Sequence, residues 1–160
     1  MKPRFAAVAA GYPTSPPHDT AALFSIIGWE DLVTNGNYEN TCAIRVSIAL
    51  ASAGVRIPGR MSIRKGTLKG RLIEPGQARL SMILARRNML GAPEKFKGSP
   101  AAERGIGMRC GIVSFWRLYP TRVGDNQGHI DVVSPNEYNF LTCKGHCYFG
   151  AAEIWFWPLR

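Results

Sequence analysis

No apolar run in this 160-residue chain approaches the roughly 18 residues that a bilayer-spanning helix needs, which excludes a membrane span. The apolar stretch Phe5–Ala10 behind a basic N-terminus is too short for a working signal peptide, so no export signal is expected. Histidine is scarce, with three in the chain, and acidic residues number eleven against twenty Lys and Arg. The four cysteines form no paired knuckle: Cys143, His146 and Cys147 in CKGHC offer three zinc ligands, and nothing completes the set. A local Cys143–Cys147 disulfide is the better reading, leaving Cys42 and Cys110 as free thiols, and no metal or organic cofactor is expected. There is no internal repeat. An apolar content of 46% with 19% charged residues excludes a disordered or low-complexity chain.

The surplus of positive charge is local. Residues 56–104 hold twelve Lys and Arg against three Glu, whereas the rest of the chain balances at eight of each sign. Such a segment suits an anionic polymer or an acidic partner. Single-strand nucleic-acid binders interleave aromatics among their cations for base stacking, and this segment has Phe96 alone. A basic nucleic-acid-binding or nuclease toxin therefore stands as an alternative class, with no metal-binding nuclease motif to support it.

Length and pattern indicate one domain over 1–160, with a proline-rich lead-in over 1–18 and basic loops over 55–75 and 94–107. Asp19 is placed to cap a helix through DTAALFSIIGWEDLV, which the turn residues of TNGN end. Asn40 is a candidate N-cap for TCAIRVSIALASAG, in which Cys42, Val46 and Ala49/Leu50 form one buried stripe and Gly54 is the stop. A third helix is expected from about Gly76 to Asn88, and short strands within 55–73. Later, CGIVSFWRLY, GHIDVV and AAEIWFWPL carry the β-branched and aromatic content of strands. Helices first and strands afterwards predict an α+β fold, N-terminal helices packed on a C-terminal antiparallel sheet.

Cys42 falls at the start of its helix, where unpaired N–H groups and the helix dipole favour a thiolate. A small core residue is the competing account of an isolated cysteine on an apolar stripe. A cysteine nucleophile needs a base. His18 lies in the lead-in and His146 between two cysteines, whereas His129 opens a strand after a polar loop. Strand alternation puts His129 and Asp131 on one face, so that the carboxylate can fix the imidazole tautomer. A helix-borne Cys followed by a strand-borne His matches the papain-type arrangement.

The run NTCAIRVSIALASAGVRIP resembles the nucleophile helix of the type VI secretion amidase effectors, most closely their fourth family, which shows Asn-x-Cys-Ala-Ile-Arg-x-Ser before a helix ending in Gly and Pro. GIVSFW followed by GHIDVV is similar to that family's strand–loop–strand unit bearing the catalytic histidine. His146-Cys147-Tyr148-Phe149 and then GAAEIWFW resemble its closing disulfide hairpin and last strand. These segments fall in order from Asn40 to the C-terminus, while about 60–105 matches only in general pattern.

The resemblance implies a papain-like peptidoglycan amidase that cleaves wall peptides between D-glutamate and meso-diaminopimelate, with Cys42 as nucleophile and His129 as base. The family's aspartate precedes the His-Cys-Tyr-Phe run, and here Gly145 stands there. Asp131, Asn139 and His146 are the available substitutes; Asp131 is preferred for its charge and its face, although direct bonding between same-strand neighbours is awkward. The resemblance also implies a secretion apparatus in the producer, a cognate immunity protein, and action in the target cell's periplasm without a signal peptide. A papain-like toxin deamidating protein side chains is the second alternative. The basic loops are expected to stand near the cleft and draw in the anionic wall polymer.

Overall fold

The three late β-branched and aromatic segments become the centre of an antiparallel sheet in the computed structural model, which describes residues 2–16 and 18–160. The strands are β1 (Met61–Ser62), β2 (Leu72–Ile73), β3 (Glu94–Phe96), β4 (Gly111–Trp116), β5 (Gly128–Pro135), β6 (Leu141–Cys143) and β7 (Glu153–Pro158). The helices are α1 (Phe5–Gly11), α2 (Thr20–Ile27), α3 (Cys42–Ser52), α4 (Gln77–Leu84) and α5 (Ser99–Ile106). The main sheet runs β3-β7-β4-β5-β6, and β1 and β2 pair as a separate hairpin. This is an α+β architecture of the papain-like type.

Alternation along the strands divides the sheet into two buried faces. Ile112, Ile130, Val132, Trp155 and Trp157 pack beneath α3 and α4, while Val113, Phe115, Val133, Ile154 and Phe156 pack against α5. A buried hydroxyl contact between Ser81 of α4 and Ser114 of β4, 2.7 Å long, fixes the first layer. A third cluster around Trp29 joins α2 to α3 and the small hairpin.

Four expectations need correction. The helix that begins at Asp19 does not reach Val33: it stops at Gly28, whose φ of 78° is the left-handed conformation glycine adopts without a Cβ penalty. Residues 94–107, expected as a basic loop, hold β3 and α5; Glu94–Phe96 finds its partner in the distant β7, which no local pattern reveals. The lead-in includes α1, whose Val8 is buried against α3. The helix expected over Gly76–Asn88 is also shorter, ending at Leu84.

Helix α3 is buried all round rather than along one stripe, from Cys42 to Ala51. Such a helix sits in the middle of its domain and carries polar residues only where they find partners. Two do: Arg45 and Ser47. The outer edge of β5 meets β6 only at Val133–Pro135, leaving its first half to the start of α3 and to the CKGHC loop. There Asn40 Nδ2 reaches the Gly128 carbonyl at 3.5 Å, and the Lys144 N–H donates to the Val132 carbonyl at 3.0 Å.

Candidate active site

Cys42 is the first residue of α3, and the N-cap position is Thr41 rather than Asn40. Asn40 nevertheless serves the helix start, since its Oδ1 accepts the Cys42 N–H at 3.2 Å. The Thr41 hydroxyl turns inward and accepts from Arg45 Nε at 3.2 Å. The Arg45 guanidinium, buried without a carboxylate in salt-bridge contact among the described residues, donates to the Ser15 carbonyl and hydroxyl and to the Pro16 carbonyl at 2.8–3.1 Å. It thereby straps the lead-in across the N-terminus of α3.

His129 stands at the start of β5 with its side chain mostly buried, and its Nε2 bonds Asp131 Oδ2 at 2.9 Å. Neighbours two apart on a strand share a face about 6–7 Å apart along the chain, and the Asp131 side chain leans along the strand to close that gap. With Nε2 engaged, Nδ1 is the nitrogen free to serve Cys42. Burial alone pulls the imidazole pKa down; the Asp131 hydrogen bond and the neighbouring Cys42 side chain outweigh it and hold the group up to about 9. At neutral pH His129 is thus an imidazolium.

Asp131 is fully buried and its oxygens are saturated. Oδ2 accepts the Gly145 and His146 N–H groups at 2.9 and 3.0 Å as well as the imidazole, and Oδ1 accepts the Val132 N–H at 2.8 Å. Gly145 is needed for this. A Cβ there meets Asp131 Oδ2 at 2.9 Å, closer than real Cβ atoms come, so the carboxylate fills the space that a side chain at 145 requires. Of the other substitutes, His146 lines the cleft with its ring 4.5 Å from that of Tyr148, and only its backbone reaches Asp131. Asn139 lies in the exposed β5–β6 turn at φ 65° and does not line the cleft.

The Cys143–Cys147 disulfide is present, with Cα atoms 5.2 Å apart, while Cys42 and Cys110 are free thiols. It closes the loop that presents the two N–H groups to Asp131. Among the described residues no group of three or more His, Cys, Asp and Glu is arranged to hold a metal ion.

Cys42 and His129 line a cleft of about 550 Å³ walled by Tyr12, His18, Glu39, Gln127 and Tyr148 among others. Tyr12 was not legible as a site residue; burial first, and then the Asp131 charge, push its hydroxyl pKa far up and keep it neutral. The basic loops do not wall the cleft: Arg45 is the Lys or Arg that lines it, and none comes from 56–104. Several of those cations are committed to ion pairs elsewhere, among them Arg64 with Asp31 and Lys65 with Glu30.

A buried helix thus presents a cysteine to the same cleft as a strand-borne histidine and its carboxylate partner. Residues 38–157 match the family model described as Type VI secretion system (T6SS), amidase effector protein 4, Tae4. The chain belongs to this family. Among solved structures it resembles the type VI effector Tae4 from Enterobacter cloacae with a TM-score of 0.76 at 19% identity, covering 100% of this chain and 98% of that one. The Tae4–Tai4 effector–immunity complexes from Enterobacter cloacae and Salmonella Typhimurium match at TM-scores of 0.74 and 0.73, with 20% and 19% identity, over the full length of both chains. A comparison with curated protein sequences finds no match.

Proposed function

We propose that this type VI amidase effector hydrolyses peptidoglycan stem peptides at the bond between D-glutamate and meso-diaminopimelate, with Cys42 as nucleophile, His129 as base and acid, and Asp131 as the residue that orients His129. The observation that carries the reading is the chain Cys42–His129–Asp131 at one end of α3, closed by the N–H groups of Gly145 and His146. Cys42 reacts as its thiolate, the nucleophilic form of the thiol, beside the His129 imidazolium. The thiolate attacks the amide carbonyl, and the imidazolium gives its proton to the leaving amine. Neutral His129 then takes a proton from water, whose oxygen attacks the thioester and releases the acid.

Helix-start N–H groups are the donors for the developing oxyanion. That of Cys42 is held by Asn40 Oδ1, so the oxyanion competes with Asn40 for it. We place the protein's action in the target cell's periplasm, after delivery by the secretion apparatus. A cognate immunity protein covers the cleft, in keeping with the Tai4-bound relatives.

Incubating the protein with purified muropeptides and weighing the products tests this. Hydrolysis at the stated bond is expected, together with its complete loss in folded Cys42→Ala. Cleavage that survives in folded Cys42→Ala overturns the mechanism, and muropeptides left intact by the wild type overturn the function.

A further inference from the structure

Beside the cleft lies a second cavity of about 300 Å³, lined by Asn37, Tyr38, Arg60, Met61, Pro75 and Gly76. The two are lined by neighbouring stretches of chain. Asn37 and Tyr38 run directly into Glu39 and Asn40 of the cleft, and Gly76 runs into Gln77, whose carboxamide occupies the space beside the cleft residue Gly128.

The charge in this cavity is built. Glu74 is fully buried, and its carboxylate accepts Arg60 Nε at 3.1 Å, Arg60 Nη2 at 2.5 Å and the Gly76 N–H at 2.9 Å, with Arg79 Nε at 3.2 Å on its other oxygen. Two guanidinium groups thus share one carboxylate, and a net positive charge remains. Both are half-exposed, and Arg60 Nη1 has no hydrogen-bond partner among the described residues. The pair is also pinned to the nucleophile helix: the Ser47 hydroxyl donates to the Glu74 carbonyl and accepts the Glu74 N–H, both at 3.2 Å. Ser47 stands five residues beyond Cys42, roughly 7–8 Å along the helix axis. The Ser47 contact, and the chain adjacency of Tyr38 in this cavity to Glu39 in the cleft, set the Arg60 cavity within a few residues' length of Cys42.

Resting on the function proposed above, we infer that the Arg60 cavity is a carboxylate-binding subsite of the cleft, which seats an aliphatic chain ending in a free carboxylate a few residues from the scissile bond of an acidic wall peptide. Tyr38, Met61 and Pro75 supply the apolar wall for that chain, and Arg60 Nη1 supplies the donor edge for its end. A guanidinium already oriented by a buried carboxylate loses little freedom on binding, which favours arginine here over a mobile lysine. The carboxylate can come from a side chain or from the chain terminus.

The test compares wild type, Arg60→Gln and Arg60→Lys on one soluble stem peptide in three forms: both carboxylates free, the side-chain carboxylate amidated, or the C-terminal carboxylate amidated. Arg79 still pairs with Glu74 in either variant, and a thermal melt of each protein checks that it is folded. For the free peptide, Arg60→Gln should raise KM about tenfold with kcat within about twofold, as loss of one charge-assisted contact requires. Arg60→Lys should recover part of the loss. The amidated form that reproduces the tenfold rise on wild type, and that Arg60→Gln no longer distinguishes, identifies the source. Equal KM values for all three proteins overturn the subsite. Titrating the same peptides into the Arg60 Nε NMR signal reads binding without catalysis. A shift with the free peptide alone upholds the subsite even where no cleavage occurs, and no shift overturns it even where cleavage proceeds.

Discussion

The protein buries two acidic side chains completely, Asp131 and Glu74, and surrounds them in opposite ways. Asp131 receives three backbone N–H groups and an imidazole. Glu74 receives two guanidinium groups and one backbone N–H. Fixed amides cannot release a proton, so the charge of Asp131 is directed at the one partner that titrates, His129. Arginines stay charged throughout, so Glu74 can hold them in place and tune nothing. Burial with neutral donors therefore makes a chemical device of one carboxylate, and burial with permanent cations makes an anchor of the other.

The sharpest way to break this contrast is to disable each site in turn. His129→Ala should lower kcat on muropeptides by about four orders of magnitude, the scale of losing a nucleophile's base, with some fall in Tm as buried Asp131 loses its imidazolium. Glu74→Gln should leave kcat nearly intact and cost about 1–2 kcal/mol, since the buried hydrogen bonds around Glu74 weaken while its half-exposed arginines return to water. That corresponds to a fall in Tm of roughly 5 °C. A Glu74→Gln protein of wild-type stability contradicts the assignment of Glu74 as an anchor.

Asp131→Asn should be milder, lowering kcat roughly ten- to hundredfold, since an orienting group improves the base without replacing it. Its pH dependence is more telling. The raised pKa of His129, about 9, keeps the imidazolium present up to that pH, so wild-type activity should fall only above it. The same shift stabilises the fold in full below about 6.5, the ordinary histidine value, and that contribution is lost as pH rises to about 9, on the order of 3 kcal/mol. Without the carboxylate the pKa of His129 falls, so the alkaline limb of activity should move to lower pH and the loss of stability at alkaline pH should shrink. A silent Asp131→Asn beside an impaired Asn139→Ala reassigns the orienting role.

The smallest effect belongs to the staple. Cys143→Ser with Cys147→Ser should cost less than the roughly 3 kcal/mol of a 15-residue loop, because a loop this short removes little chain entropy. The accompanying fall in kcat should be severalfold, as the Gly145 and His146 N–H groups lose their hold on Asp131. Thiol counting on the oxidised protein should find two free cysteines, and four overturn the bridge.

By itself, the sequence determined whatever depends on short-range pattern. A capped apolar run ending in glycine puts Cys42 at a helix start, two-residue alternation puts His129 and Asp131 on one face, and a glycine between cysteines four apart permits their bridge. Torsional preference and periodicity act over a few residues, and these features need nothing more. Tertiary structure alone made Asp131, rather than Asn139 or the His146 side chain, the group bonded to His129, because that contact sits where Gly145 and His146 fold back, fourteen and fifteen residues beyond Asp131. It alone recruited Tyr12 to the cleft through Arg45, and found a sheet partner for Glu94–Phe96 in the last strand. It also committed cations of the basic segment to Glu30, Asp31 and Glu74 and set them away from the cleft wall. Net charge records how many cations a segment carries; which of them remain free is settled by the carboxylates that the fold brings within reach.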